Sequence, residues 1–524
     1  MSDSIAVVPI FVNAGAAILP VVMGAAASVI SLLLRPRHLL RACRRHPITT
    51  CLLILGVTAA WWGTRWALSR SPGVRAEPAK APKTDWPQVA LDILRREETG
   101  ALVPVPASGP YKPPVSAIVL GRDFSRRACD GSAAPLGLKL LWRHKGDDCM
   151  FLSSPAVSAG RVYAGSCLVD VTGNYGAVVC LDAHSGKVIW QTSGVGEQPF
   201  KGLFSSPAMT RDGKYLVVGQ GLHDDRDCSL ICLEAESGKV RWQVQTPLHI
   251  ESSPAIHGDM AVAGAGAIEG PDRIPTSHGG FVLAVRISDG AELWRYDLAD
   301  PESSPAIGED GIVYIGSGFN GCAVVALRSQ GDAELRERGL ERLVWRASCP
   351  YPVTGAVTLA GERVLVGAGN GDYVYGDPNP AGVVLALDRR SGKVLWQSRM
   401  SDAVLGHVAV ASGLAICPVR DGQVVALDLS DGRPIWSRQV SGKAPVLAGC
   451  ALAGSAVYAV SRDGYLAVLD ARSGKVLERY SLNDEARPGQ MGLCLSSPTV
   501  WMGRLFVGSE TGGLQCWAGT RVQP

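Results

Sequence analysis

This chain writes one hairpin again and again. Residues 180–190 read CLDAHSGKVIW, residues 232–242 CLEAESGKVRW and residues 386–396 ALDRRSGKVLW. Looser copies are AVRISDGAELW, ending at Trp294, and ALDLSDGRPIW, ending at Trp436. VLDARSGKVLE carries Glu478 where a tryptophan is due. A copy with an insertion in its turn reaches Trp345, and GLKLLW supplies Trp142 without the preceding strand. The marks fall at 142, 190, 242, 294, 345, 396, 436 and 478, a spacing of 40 to 52 residues that matches one propeller blade.

Each period holds four strand candidates, as in SSPAIGEDGIVYIGSGFNGCAVVALRS followed by the tryptophan strand. Gly290, Gly392 and Gly432 suit the positive φ of a tight turn, and an Asp ahead of the glycine can bond the turn backbone. A Trp at a fixed offset buries ~150–250 Å² between neighbouring sheets. Trp142, Trp190, Trp242, Trp294, Trp345, Trp396 and Trp436 are therefore read as docking residues. One sheet alone exposes both faces, and only a closed ring covers them all. The C-terminus offers three strands with no fourth, and the Trp142 strand lacks partners in front. Joined, they complete a last blade. The pattern predicts an all-β fold: an eight-bladed β-propeller of four-stranded antiparallel blades, closed by its own two ends. The 61 Gly and 33 Pro suit such a turn-rich chain, and a net charge of +3 makes no case for nucleic acid.

The repeated word, with ESSPAI at 251–256 and 302–307 and the lead-in LGRDFSRRACDGSAAPLGLKLLWRHKG, resembles the PQQ-like (pyrroloquinoline-quinone-type) repeat propellers over residues 118–520. The resemblance implies fold more than function. That family includes quinone-dependent dehydrogenases, a non-enzymatic outer-membrane assembly scaffold and sensor domains.

Ahead of the repeats, residues 4–34 carry no charge and are long enough to cross a bilayer. An arginine cluster follows (Arg35, Arg37, Arg41, Arg44, Arg45), then a second apolar run ending in Trp61, Trp62 and Trp66. Residues 1–68 are read as a membrane anchor, a transmembrane helical hairpin with helices over 5–34 and 48–66. Its arginine loop is cytoplasmic and both ends lie outside. Residues 69–117 read as a Pro/Ala-rich linker interrupted by one short amphipathic helix. The propeller at 118–520 is then extracytoplasmic, on the periplasmic side of the inner membrane.

If strands run from inside out, the connections after the second strand share one rim with the starts of the inner strands. That rim collects the long loops CLVDVTGNYG, GLHDDRDC, AIEGPDRIPTSHGG and NGDYVYGDPNPAG, while the other rim has short turns. Variable loops on a rigid scaffold are where binding usually lives. The same rim places the serine pairs, with Ser154, Ser206, Ser253, Ser304 and Ser497, around the channel mouth. Glu251, Glu302 and His249 lie just before them, and Thr354 and His407 stand where the serine word has decayed. These ten residues form the candidate binding set for a protein partner or small ligand. The serine hydroxyls also have a structural reading, as partners for backbone groups where strands crowd near the axis. The glutamates and histidines are less easily explained that way.

The dehydrogenases of the resembled family carry adjacent half-cystines and a calcium set with an Asp base. Neither can be carried over to this chain, which has no Cys-Cys and no C-x-x-C-H. His223, Asp224, Asp225 and Asp227 lack EF-hand spacing and read as a solvated acidic loop. Cys180, Cys232 and Cys516 share a repeat position with Ala284, Ala326, Ala386 and Ala426 and read as small core residues. Cys149 and Cys494 are the best disulfide candidate. The sequence thus predicts a non-enzymatic binding or assembly platform with no cofactor. The alternatives are a dehydrogenase using PQQ with calcium at a rearranged site, or a ligand sensor.

Overall fold

Repetition of the hairpin builds eight four-stranded antiparallel sheets in a computed structural model that describes residues 134–146, 149–170, 173–222, 225–266, 279–442, 444–484 and 492–523. The chain is an eight-bladed β-propeller. Blades 1 to 7 span residues 156–192, 208–248, 255–297, 306–348, 358–400, 409–439 and 451–481. Blade 8 is composite. Its inner three strands are Thr499–Trp501, Arg504–Ser509 and Gly513–Gln523, and its outermost is Ala134–His144 from the other end of the propeller. Within each blade the strands run in order from inside out, as the repeat implies.

The outermost strand carries the tryptophan, and the residue paired with it is small. Trp190 faces Cys180, Trp242 faces Cys232, and Trp294, Trp345, Trp396 and Trp436 face Ala284, Ala326, Ala386 and Ala426. Trp142 faces Cys516 across the closing blade. All seven small partners are fully buried. Immediately beyond this pair the register breaks in a bulge, in all seven of these blades and again in blade 7 between Val468 and Leu469. A bulge bends its strand and increases the local twist.

Each indole reaches the next blade. Its Nε1–H donates to the carbonyl of Ala183 from Trp142, Ala235 from Trp190, Ile287 from Trp242 and Ser329 from Trp294, at 2.7–3.2 Å. Trp345, Trp396 and Trp436 donate likewise to Arg389, Leu429 and Ala471. The ring lies against the glycine of that neighbour's turn. Gly392 has φ +70°, and a Cβ there would sit 2.6 Å from the Trp345 ring. The turn itself is held by Asp388, whose carboxylate accepts the Ser391 N–H at 2.8 Å and hydroxyl at 2.6 Å. Those bonds, the hydroxyl's first, hold the Asp388 carboxyl below its ordinary value. Gly392→Ala combines a left-handed backbone with a clash, and should cost about 1–3 kcal/mol in urea unfolding. A neutral result there would refute the docking role of the turn.

Two junctions depart from the rule. Blade 4 extends its turn with a short helix, Asp332–Glu337, and no glycine meets Trp294. The Arg342 guanidinium stacks 4.5 Å over that indole instead. Between blades 7 and 8 there is no turn to dock on, because the two outer strands of blade 8 come from opposite ends of the propeller. Glu478 therefore replaces Trp. Both of its carboxylate oxygens accept the Gly137 N–H, at 2.8 and 2.9 Å, and Tyr480 and Arg521 donate to it at 2.7 and 2.9 Å.

The proposed Cys149–Cys494 disulfide is not formed: none of the eleven cysteines among the described residues is in a disulfide. The two lie in different cores, Cys494 between blades 7 and 8 and Cys149 against the core joining blades 8 and 1. The Cys494 thiol donates to the Gly508 carbonyl at 3.0 Å, and burial pushes it up to about 12. The membrane anchor over 1–68, the linker over 69–117 and the start of the lead-in segment lie outside the described residues. Among the described residues no helix is long and apolar enough to cross a membrane.

Candidate functional site at the channel mouth

Just ahead of each innermost strand, two residues spaced two apart share one face, as extended backbone requires. Around the eight blades they make two stacked rings. The ring nearer the loop-bearing rim is Leu152, Phe204, Glu251, Glu302, Thr354, Leu405, Leu447 and Leu495. The deeper ring is Ser154, Ser206, Ser253, Ser304, Ala356, His407, Gly449 and Ser497. All sixteen line one cavity of about 240 Å³.

The deeper hydroxyls bind the propeller to itself. The N–H of Ser497 donates to Ser154 Oγ, that of Ser154 to Ser206 Oγ, that of Ser206 to Ser253 Oγ and that of Ser253 to Ser304 Oγ, each at 2.9 Å. Gly449 N–H donates to Ser497 Oγ at 3.0 Å. The first serines of each pair do the same work behind them. Ser205, Ser252 and Ser303 donate to the Ser252, Ser303 and Gly355 carbonyls of the next blade. The structural reading of the serines is thus the one the hydrogen bonds support. His407 carries the link where serine is absent: its Nε2 lies 3.2 Å from the Cys450 carbonyl, which can only accept, so Nε2 holds the hydrogen. Its ring fills the space where a Cβ on Gly449 would stand.

The upper ring is different. Five neighbouring blades, 6, 7, 8, 1 and 2, present apolar side chains, and blades 3, 4 and 5 present Glu251, Glu302 and Thr354. His249 does not reach the wall. It is fully buried behind the ring, with Nε2 3.0 Å from Glu302 Oε1. Thr354 stands one step ahead of the serine register, in the place of the glutamates. Its Oγ1 is buried and has no hydrogen-bond partner among the described residues. Tyr373 and Val374, from the long loop of blade 5, roof the cavity. The Tyr373 hydroxyl donates to the Leu405 carbonyl at 3.0 Å. Burial first, then the Glu302 and Glu251 charges, push that phenol upward. Arg420 fastens the same loop through the Asp372 carbonyl at 2.9 Å. Its counterpart one blade on, Arg462, lines the cavity instead.

Nine of the ten residues named from sequence meet in this cavity. The five apolar positions, Arg462 and Tyr373 were not read from sequence. A leucine opening a buried strand looks like core, and only stacking the blades in register on their inner strands reveals it as mouth. Asp225 of the acidic loop is occupied by Asn174 Nδ2 at 2.5 Å and the Leu222 N–H at 2.8 Å, while His223 and Asp224 lie outside the described residues.

A family model described as outer membrane protein assembly factor BamB matches residues 137–339 and 341–522. The chain belongs to the BamB-type PQQ-like repeat family. It is 25% identical over 354 residues to the outer membrane protein assembly factor BamB of Yersinia pestis, covering 64% of this chain and 78% of that protein. It is also 24% identical to a quinohemoprotein alcohol dehydrogenase of Pseudomonas putida over 60% of this chain, but spans only 46% of that enzyme. Among solved structures, BamB from Moraxella catarrhalis superposes with a TM-score of 0.54 at 18% identity, covering 73% of this chain and 98% of that one. That likeness concerns the fold alone.

Because one relative is a quinohemoprotein alcohol dehydrogenase, the quinone is the cofactor to test. A calcium-held quinone needs several oxygen ligands gathered around the ion. Among the described residues, no group of three or more His, Cys, Asp or Glu is placed to hold a cation. The deeper ring offers serine hydroxyls already committed to backbone partners. Among the described residues, the carboxylates the mouth offers such an ion are Glu251 and Glu302.

Proposed function

We propose that this chain is an extracytoplasmic propeller that binds a protein partner at its loop-bearing rim and catalyses no reaction. What carries this reading is the chemistry of the mouth: its hydroxyls are structural, five of its eight upper positions are apolar, and a long loop roofs it. The name of the BamB relatives, an assembly factor, supports the same class of function. The extra finger between blades 1 and 2, Gly194–Val195 paired with Gln198–Pro199, adds to the same rim. Tethering to the inner membrane through residues 5–34 and 48–66 belongs to this proposal and rests on the sequence pattern.

A photo-crosslinking amino acid at Tyr375 tests it, with Met502 on the opposite rim as control. Both side chains are well exposed. In native membranes, Tyr375 should give discrete protein adducts and Met502 none. Equal labelling from both rims would overturn the reading. So would dye-linked alcohol oxidation by the purified chain supplied with the quinone and Ca²⁺.

A further inference from the structure

The mouth is polarised in a way that selects a ligand. We infer that it captures a basic side chain of a partner protein, an arginine or lysine whose alkyl stem lies on the leucine arc and whose cation is met by Glu251 and Glu302. This rests on the proposed partner-binding function and names its chemistry. Three observations carry it. The two carboxylates stand side by side on consecutive blades and face one cavity. Leu405, Leu447 and Leu495 form the opposite wall, a surface suited to a methylene stem that keeps its charged head elsewhere. Thr354 Oγ1, on the blade after Glu302, is buried without a hydrogen-bond partner among the described residues and is free to accept from a guanidinium. Arg462 stands in blade 7, across the ring from Glu251 in blade 3, and so drives an incoming cation toward the carboxylates. The volume, about 240 Å³, lies below the ~300–1,000 Å³ usual for cofactor-sized ligands and suits a single long side chain.

The test uses the full chain in detergent and three capped peptides: acetyl-Leu-Arg-Leu-amide and the same peptide with citrulline or glutamate in the centre. Citrulline keeps the shape of arginine and removes its charge. Titration calorimetry should show the arginine peptide binding at about 1 mM or tighter, with citrulline about ten- to hundredfold weaker. Glu251→Gln and Glu302→Gln should each weaken the arginine peptide by about tenfold and leave citrulline unchanged. Leu447→Ala should weaken both peptides alike. Because Glu302 contacts buried His249, Glu302→Gln could unfold the chain, and Glu251→Gln alone then decides. Equal affinity for arginine and citrulline, no arginine binding at all, or full binding in Glu251→Gln would overturn the inference. Rim-specific crosslinks from Tyr375 alongside any of those results would leave partner binding standing and remove only the basic side chain.

Discussion

Trp294→Ala will lower the unfolding free energy by about 3–5 kcal/mol, among the largest losses from any single tryptophan of the ring. Its side chain is 2% exposed, whereas Trp142, Trp190 and Trp242 are only partly buried. The substitution removes three contributions at once. The indole sits in the core shared by blades 3 and 4, its Nε1–H bonds the Ser329 carbonyl at 2.9 Å, and Arg342 stacks on its face. The glycines of the blade 4 turn, Gly331 and Gly339, do not lie against the indole. Its helix Asp332–Glu337 is tied to Arg342 through Asp332, so losing the indole also loosens the insertion. Guanidinium denaturation followed by fluorescence or circular dichroism measures the effect. Trp190→Ala, at a side chain only partly buried, should cost clearly less. A Trp294→Ala loss below about 1 kcal/mol would mean that the indoles do not hold blade to blade.

Glu478→Gln comes second, with an expected cost of about 2–3 kcal/mol at neutral pH. Glu478 is the bolt of the ring, joining blade 7 to the Ala134–His144 strand. Burial alone would raise its carboxyl, but the Arg521 guanidinium, the Tyr480 hydroxyl and the Gly137 N–H together hold it below the usual value. A depressed folded-state pKa means that stability is fully present above the unfolded value near pH 4.5 and is lost as pH falls through the folded value. The wild-type chain should therefore lose stability on acidification below about pH 5, while Glu478→Gln starts lower and falls less steeply. Parallel acid limbs for the two proteins would contradict this. Glu478→Trp, which restores the repeat word, should be no better, since blade 8 has no turn to receive the ring.

Residues that answer to a fixed spacing are legible in the sequence itself. The tryptophans, the small Cys or Ala opposite them and the turn glycines all recur at one offset, so repetition averages out local ambiguity. The closing blade was readable because each end of the propeller lacked what the other had. Glu478 was visible only as a broken pattern, since its partners Gly137 and Arg521 are hundreds of residues away or on a strand with no repeat word. The mouth was half legible. The serine word marked the right rim, and hydrogen bonding then assigned those hydroxyls to the scaffold. The glutamates pointed at the channel mouth, which they line, yet the leucines facing them carry no local sign of exposure to a channel. Cys149 and Cys494 misled because sequence places them at the starts of neighbouring blades without saying that different cores receive them.

Among the described residues the eight outermost strands have no strand paired on their outer edges, and several carry exposed apolar pairs, such as Leu140–Leu141, Val188–Ile189 and Val394–Leu395. Straight edges of that kind would zip together between molecules. The kink beside every tryptophan pair interrupts each edge at the same depth, so a second molecule laid alongside finds only a short matching stretch before its ladder is thrown out of step. The device that lets each blade wrap its neighbour thus also keeps crowded copies from polymerising side by side.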